Sequence, residues 1–287
     1  MSRIVFVNGE YLAEQDAKIS IFDRGFIFGD GVYEVVPVIN GKVVDRPYFL
    51  ERLDRSLGEL SIKWPCTKDE YLTVMTKLVG KNNLQEGIIY SQVTRGVSDR
   101  DFPFPENVKP SFVAFTAEME LLDNPAAETG IPVATTDDLR WKRRDIKSIN
   151  LLAQVLAKQA AVSKGAAEGW MIEDGFVTEG GTSTAYIVKD GKVITRPLSN
   201  SILPGIRRRT LIEIAGQQGI EFEERLFTID EALEADEAFI SSATPLALAV
   251  VSIDGKSIGS GEPGVLTRKL RACYKERVIA EAESQNN

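Results

Sequence analysis

The sequence predicts two α+β domains, each built of antiparallel hairpins with packed helices. Three observations lead there. Hairpin dipeptides occur in both halves: Asn8-Gly9 and Asn40-Gly41 first, then Asp174-Gly175, Asp190-Gly191 and Asp254-Gly255. They suit tight hairpins because both central residues of a type I′ turn need positive φ. Between the dipeptides run stretches with apolar residues at helical spacing. Finally, a polar segment from Glu118 to Gly130, containing Asp123-Asn124-Pro125, reads as an interdomain linker. A length of 287 residues agrees with two units at about 150 residues each. The expected division is a small N-terminal domain over 1–117, a linker over 118–130 and a large C-terminal domain over 131–287.

Ile4-Val5-Phe6-Val7 and the run from Val32 to Val38 carry the β-branched and aromatic residues that suit a pleated surface. From Arg46 to Leu60 the period changes. Phe49, Leu50, Leu53, Leu57 and Leu60 recur on one helical face, with Glu51, Arg55 and Glu59 on the other. A second helix is expected from Lys68 to about Val79, since Thr67 can cap it and Glu70 stands three residues on. Gly87 to Thr94 is a strand that runs into the proline-rich loop ending Phe102-Pro103-Phe104-Pro105, and Ser111 to Ala117 returns as a strand. In the second half Ile131 to Thr135 reads as a strand. Asn150 to Lys164, Arg207 to Gln218 and Gly264 to about Ala282 read as helices.

Composition excludes several function classes. At 43% hydrophobic and 26% charged the chain is an ordinary globular one. Its formal charge of −8 argues against nucleic acid as a partner, which would require a basic face. No stretch approaches the roughly 20 apolar residues of a membrane span, so no membrane partner is expected either. The beginning Met1-Ser2-Arg3 lacks the apolar core of a secretory signal within the residues that follow, and a cytoplasmic location is expected. Histidine is absent, which removes imidazole as a general base and His-ligated zinc; Cys66 and Cys273 have no metal or redox spacing. No metal is expected. Proton transfer in an enzyme of this composition falls to Lys, Asp, Glu, Tyr or Cys, or to a cofactor.

Three segments could carry chemistry. Lys147 lies just before a helix in the run Arg140-Trp141-Lys142-Arg143-Arg144-Asp145-Ile146-Lys147. Crowding by Lys142, Arg143 and Arg144 would disfavour its ammonium form and move it toward a usable nucleophile. On charge pattern alone a solvated basic loop is the plainer reading. Glu179 stands in Val177-Thr178-Glu179-Gly180-Gly181, where paired glycines permit close approach of a ligand, although a simple strand end has the same pattern. Leu203-Pro204-Gly205-Ile206-Arg207-Arg208-Arg209 opens a helix whose first N–H groups and three arginines would favour an anion; an ordinary helix start with a basic face fits equally.

Taken together, in order and over nearly the whole length, these segments resemble the fold-type IV pyridoxal-phosphate aminotransferases, and most closely the D-amino acid transaminases among them. Asp23-Arg24-Gly25-Phe26-Ile27-Phe28-Gly29-Asp30-Gly31-Val32-Tyr33-Glu34 is similar to the N-terminal signature of that family. Leu50-Glu51-Arg52-Leu53, Asp145-Ile146-Lys147-Ser148-Ile149-Asn150 and Val177-Thr178-Glu179-Gly180 match its later segments. The resemblance implies pyridoxal 5'-phosphate bound in the C-terminal domain. It implies Lys147 as Schiff-base lysine and proton carrier, and Glu179 as partner of the pyridine nitrogen. Leu203 would pack on the ring. Arg52, the amides of Ile206 and Arg207, and Ser242 with Ala243 would hold the phosphate. Tyr33 and Thr244 would line the substrate pocket, and Arg100 would capture the α-carboxylate with its guanidinium fork.

Two departures stand out. Phe102 occupies the position where bacterial D-amino acid transaminases have a histidine, and Ala243 stands where the family usually has a hydroxyl residue. The implied reaction is that of a D-amino acid with 2-oxoglutarate, giving a 2-oxo acid and D-glutamate, in a homodimer. Branched-chain L-amino acid aminotransferase and (R)-amine transaminase are the alternatives on the same scaffold. Aminodeoxychorismate lyase would use the same lysine for elimination.

Overall fold

The computed structural model describes residues 2–285. The chain forms two compact units. The first comprises the described residues up to Glu120, the pentapeptide Ile146–Asn150 and the end of the chain from Val278; the second comprises Leu121–Asp145 and Leu151–Arg277.

The first unit opens with the hairpin β1 (Ile4–Val7) and β2 (Glu10–Ala13), in which Asn8 and Gly9 both take positive φ, as the turn requires. Helix α1 (Arg24–Phe28) is a short element without an amphipathic period. Its N-cap is the Asp23 carboxylate, which accepts the Gly25 amide at 2.8 Å, and Gly29 ends it at φ 67°. Strand β3 (Gly31–Ile39) follows and turns through Asn40-Gly41 into β4 (Lys42–Val43). Helix α2 (Arg46–Glu59) buries Phe49, Leu53 and Leu57 of the face its period predicted, and α3 (Lys68–Lys81) buries Tyr71, Met75 and Leu78. Each such side chain contributes about 1.5–3 kcal/mol when fully buried. Thr67 and Glu70 form the expected reciprocal capping box. With β5 (Gly87–Thr94) and β6 (Ser111–Glu118) the sheet runs β2-β1-β6-β5-β3-β4, all neighbours antiparallel.

The second unit begins with α4 (Ala126–Thr129), β7 (Ile131–Asp137) and α5 (Leu152–Ser163). Strands β8 (Glu168–Glu173), β9 (Phe176–Gly180), β10 (Thr184–Lys189) and β11 (Lys192–Thr195) follow as two hairpins through Asp174-Gly175 and Asp190-Gly191. Then come α6 (Ile206–Gln217), β12 (Phe222–Glu224), α7 (Ile229–Leu233), β13 (Glu237–Ser241), β14 (Leu248–Ile253), β15 (Lys256–Ser257) and α8 (Val265–Ser284). The sheet order is β12-β11-β10-β13-β14-β7-β8-β9, with β15 beside β14. Its pairs are antiparallel except β11–β12, β14–β7 and β7–β8. Its core gathers Ile131, Trp170, Val177, Ile187, Phe227 and Ile240.

This division differs from the expected boundaries of 1–117, 118–130 and 131–287 in three places. Residues 121–130 are tied into the second unit: Leu121 is buried, Arg271 donates to the carbonyls of Leu121 and Leu122, and Lys275 pairs with Asp123. The pentapeptide around Lys147 joins the first unit through hydrogen bonds to β3 and its approach: Tyr33 N to Lys147 O, Ile149 N to Gly31 O. The last turns of α8 do so through Glu281, whose carboxylate accepts the Asp45 amide at 2.9 Å. Polarity marked 118–130 as exposed, but polar side chains with fixed partners are not a free tether.

Candidate active site

In the first unit the sequence-predicted residues gather around β3. Tyr33 and Lys147 are half-buried neighbours, with the Lys147 Nζ 4.2 Å from the Tyr33 ring centroid. The Lys147 amide donates to Ser56 Oγ at 3.3 Å, and Asn150 Nδ2 donates to the Gly29 carbonyl at 2.9 Å. A Cβ on Gly29 would lie 2.3 Å from Asn150 Oδ1, so glycine is required there for space as well as for its φ. The pentapeptide is thus pinned at both ends and beside β3, leaving the lysine side chain as its variable part.

Arg52 is nearly buried on α2 and is gripped by Glu34 of β3, Nε at 2.8 Å and Nη2 at 2.6 Å. Such a two-point fork fixes a guanidinium in one orientation. Arg100 lies exposed on the loop after β5, its guanidinium carbon 5.5 Å from the Phe28 ring and 5.4 Å from the Phe102 ring. Among the described residues it pairs with neither Asp99 nor Asp101. An apolar groove of about 610 Å³ also opens in this unit, beside Phe6, Tyr11, Cys66 and Phe112, and none of the predicted site residues lines it.

In the second unit the centre is Glu179. It is 4% exposed at the end of β9, a strand with four consecutive buried residues. Its carboxylate accepts the Leu203 amide at 3.1 Å and pairs with Arg140, which in turn grips Asp138 through Nε at 2.9 Å and Nη2 at 2.7 Å. Thr178 Oγ1 donates to Asp138 at 2.7 Å. Burial pushes the Glu179 carboxyl above the ordinary carboxylate range, and Arg140 and the Leu203 amide act against that rise. Burial also works to raise Asp138, but the Arg140 guanidinium and the Thr178 hydroxyl hold it below the usual range.

The start of α6 has Gly205 as N-cap with no side-chain cap, which leaves the helix N-terminus to its backbone amides. A Cβ on Gly205 would stand 2.8 Å from Thr184 Oγ1, so the packing there leaves room for glycine alone. Ser242, Ala243 and Thr244 are half-buried in a turn where Ser242 N donates to Pro245 O at 3.1 Å.

Two readings of the basic residues meet their partners in the structure. Of the three cations that were to crowd Lys147, two are already paired. Arg143 pairs with Asp145 at 3.1 Å, and Arg144 pairs with Glu173 at 2.6 Å and with Asp138 at 3.2 Å. The arginines at the start of α6 have partners within the fold. Arg207 is buried and donates to the carbonyls of Ser242 and Ala243 at 3.1 and 3.0 Å; Arg208 is buried and pairs with Glu224; Arg209 lies 3.9 Å from Glu213. Buried guanidiniums seek carboxylates and carbonyls within the fold, which a count of positive residues does not register.

Sequence reasoning missed Arg140 and Asp138, the support beneath Glu179. Arg140 reaches Glu179 of β9 from the loop after β7, and no spacing announces that. It also missed the side-chain task of Arg207, which fixes the turn at Ser242 and Ala243.

The profile of the amino-transferase class IV family matches residues 31–253. A D-alanine aminotransferase of Staphylococcus epidermidis is 40% identical over 277 residues, 96% of this chain and 97% of that protein. One of Staphylococcus haemolyticus is 41% identical over 278 residues, again 96% and 97%. Among solved structures, the branched-chain amino acid aminotransferase of Escherichia coli superposes with a TM-score of 0.91 at 24% identity, covering 97% of this chain and 95% of that one. That last likeness speaks for the fold alone.

Proposed function

We propose, from the premise that the chain belongs to the class IV aminotransferases, that it moves the amino group of a D-amino acid onto 2-oxoglutarate, releasing a 2-oxo acid and D-glutamate. Class IV aminotransferases work with pyridoxal 5'-phosphate, and the residues present fit it. Lys147 offers a primary amine, Glu179 a buried carboxylate, and α6 a helix start capped by no side chain. When bound, the cofactor supplies an aldehyde that takes up the amino group and a ring that accepts the electrons released at Cα.

The rest falls to the chain. Lys147 Nζ would bind the cofactor's aldehyde carbon and, as a free amine, would carry the proton at the substrate's Cα. Glu179 keeps a proton on the ring nitrogen, and its pairing with Arg140 orients it. Leu203, whose amide is fixed on Glu179, packs on the ring. Arg52, the amides of Ile206 and Arg207, Ser242 and the Ala243 amide hold the phosphate. Tyr33 and Thr244 line the substrate's place, and Arg100 binds its α-carboxylate.

The observation that carries the D-amino acid reading is the 40% identity, over 96% of the chain, to proteins named D-alanine aminotransferase. A homodimer completes the proposal. Helix α5 exposes Leu152, Val155 and Leu156 at 73, 58 and 50%, an apolar stripe that a second copy would cover.

The test is a single half-reaction. D-alanine added to the purified holoenzyme bleaches the visible band of the lysine-bound cofactor as the pyridoxamine form appears. A spectrum unchanged by D-alanine but bleached by L-leucine overturns the D-specific reading and leaves Lys147 and Glu179 in their roles.

A further inference from the structure

We propose that Arg24, braced by Asp30, is a positioning residue that holds Arg100 ready for the substrate carboxylate. This rests on the reading of Arg100 given above. Arg24 lies on α1 with its side chain 4% exposed. Its Nη1 donates to the Asp101 carbonyl at 2.6 Å and its Nη2 to the Phe102 carbonyl at 3.3 Å. Those are the carbonyls of the two residues that follow Arg100, so one guanidinium fork sets the path of the chain just beyond the residue that must reach the substrate. The Arg24 amide donates to Gly96 O at 2.8 Å, which ties the same residue to the near end of the loop.

Asp30 locks the fork. Its Oδ2 accepts Arg24 Nε at 2.8 Å and Arg95 Nε at 2.7 Å, and its Oδ1 accepts Arg95 Nη2 at 3.0 Å. Arg95 reaches on to the carbonyls of Leu60 and Ser61, and its guanidinium carbon lies 3.5 Å from the centroid of the Phe104 ring. The loop is therefore held at Asp101, at Phe102 and at Phe104, all through one carboxylate. The aromatic side repeats the pattern. Arg24 stands 4.7 Å from the Phe28 ring, which also meets Phe102 at 5.5 Å and Arg100 at 5.5 Å. A charged side chain on an exposed loop wanders unless its backbone is fixed, and a displacement of about 1 Å at a binding group costs much of its benefit.

Replacing Asp30 would leave two buried guanidiniums facing each other, so the test is made on Arg24 and Phe104. Lysine at position 24 keeps a charge for Asp30 but cannot fork onto two carbonyls. In the holoenzyme Arg24→Lys raises the KM for D-alanine about tenfold with kcat within about twofold. In an Arg100→Ala background the same change adds nothing further. Phe104→Leu, an exposed side chain whose loss does not threaten folding, raises KM about threefold in the same way and likewise only while Arg100 is present. An unchanged KM in both variants, or an Arg24→Lys effect that persists in full beside Arg100→Ala, overturns the positioning role while the carboxylate role of Arg100 stands. An Arg100→Ala variant with the KM of the parent overturns the reading of Arg100 and this proposal with it.

Discussion

The amine of Lys147 rests 4.2 Å from the centroid of the Tyr33 ring, while the Lys147 carbonyl accepts the Tyr33 amide at 3.0 Å. Backbone and side chain of the two residues are thus fixed together, and the ring gives an ammonium a favourable seat. Tyr33→Phe keeps the ring and loses only the hydroxyl; Tyr33→Leu loses both. The expected outcome is a kcat within about threefold for phenylalanine and a fall of about tenfold or more for leucine. Steady-state kinetics on the two variants separates the ring's share from the hydroxyl's.

Glu179 and Arg140 predict a pH effect. Burial raises the Glu179 carboxyl and Arg140 counters the rise. Arg140→Met removes the counter-charge, so the carboxylate protonates at a higher pH than in the parent. The acid limb of the kcat/KM profile moves upward, by about one pH unit or more. A profile with an unmoved acid limb would show that Glu179 does not govern it.

Asp138 predicts a stability effect of opposite sign. Its folded carboxyl is held below the ordinary value by Arg140 and Thr178. The stabilisation is therefore present above the unfolded carboxylate pKa of about 4 and is lost as pH falls through the lower folded value. Asp138→Asn strips one of two carboxylates from each of Arg140 and Arg144, which keep Glu179 and Glu173, and costs roughly 1–3 kcal/mol near neutral pH. Urea unfolding at a series of pH values should show that difference shrinking below about pH 4.

Gly205 has ordinary backbone angles, so only space demands glycine there. Gly205→Ala places a Cβ 2.8 Å from Thr184 Oγ1 and displaces the start of α6. Cofactor affinity, titrated by absorbance, falls about tenfold, with the unfolding midpoint of the cofactor-free protein little changed. Equal affinity in the variant would remove α6 from the phosphate site.

What the sequence discloses depends on distance along it. The face of α2, the Thr67–Glu70 cap and the five hairpin dipeptides are local patterns, each legible from a few adjacent residues. Helix α1 escapes because five residues carry no period; only its Asp23 cap and Gly29 stop hint at it. Lys147 and Glu179 could be named from their motifs, but their supports could not. Arg140 beneath Glu179, Arg207 on the Ser242 and Ala243 carbonyls, and Asp30 between Arg24 and Arg95 are pairings made by tertiary folding. Positive residues near a motif looked like anion binders, and in the structure most are spent on internal carboxylates and carbonyls.

The first unit takes its residues from three separate stretches of chain, up to Glu120, then Ile146–Asn150, then from Val278 onward. It cannot be cut out or exchanged as one cassette. A crossover at 120/121 between two relatives would give β3 from one parent and the lysine pentapeptide that bonds to it from the other, and would mismatch Asp45 with its distant partner Glu281. Shuffling of such genes would preserve the lysine's seat only when all three stretches travel together, so the two halves of this enzyme are bound to diverge as a single lineage.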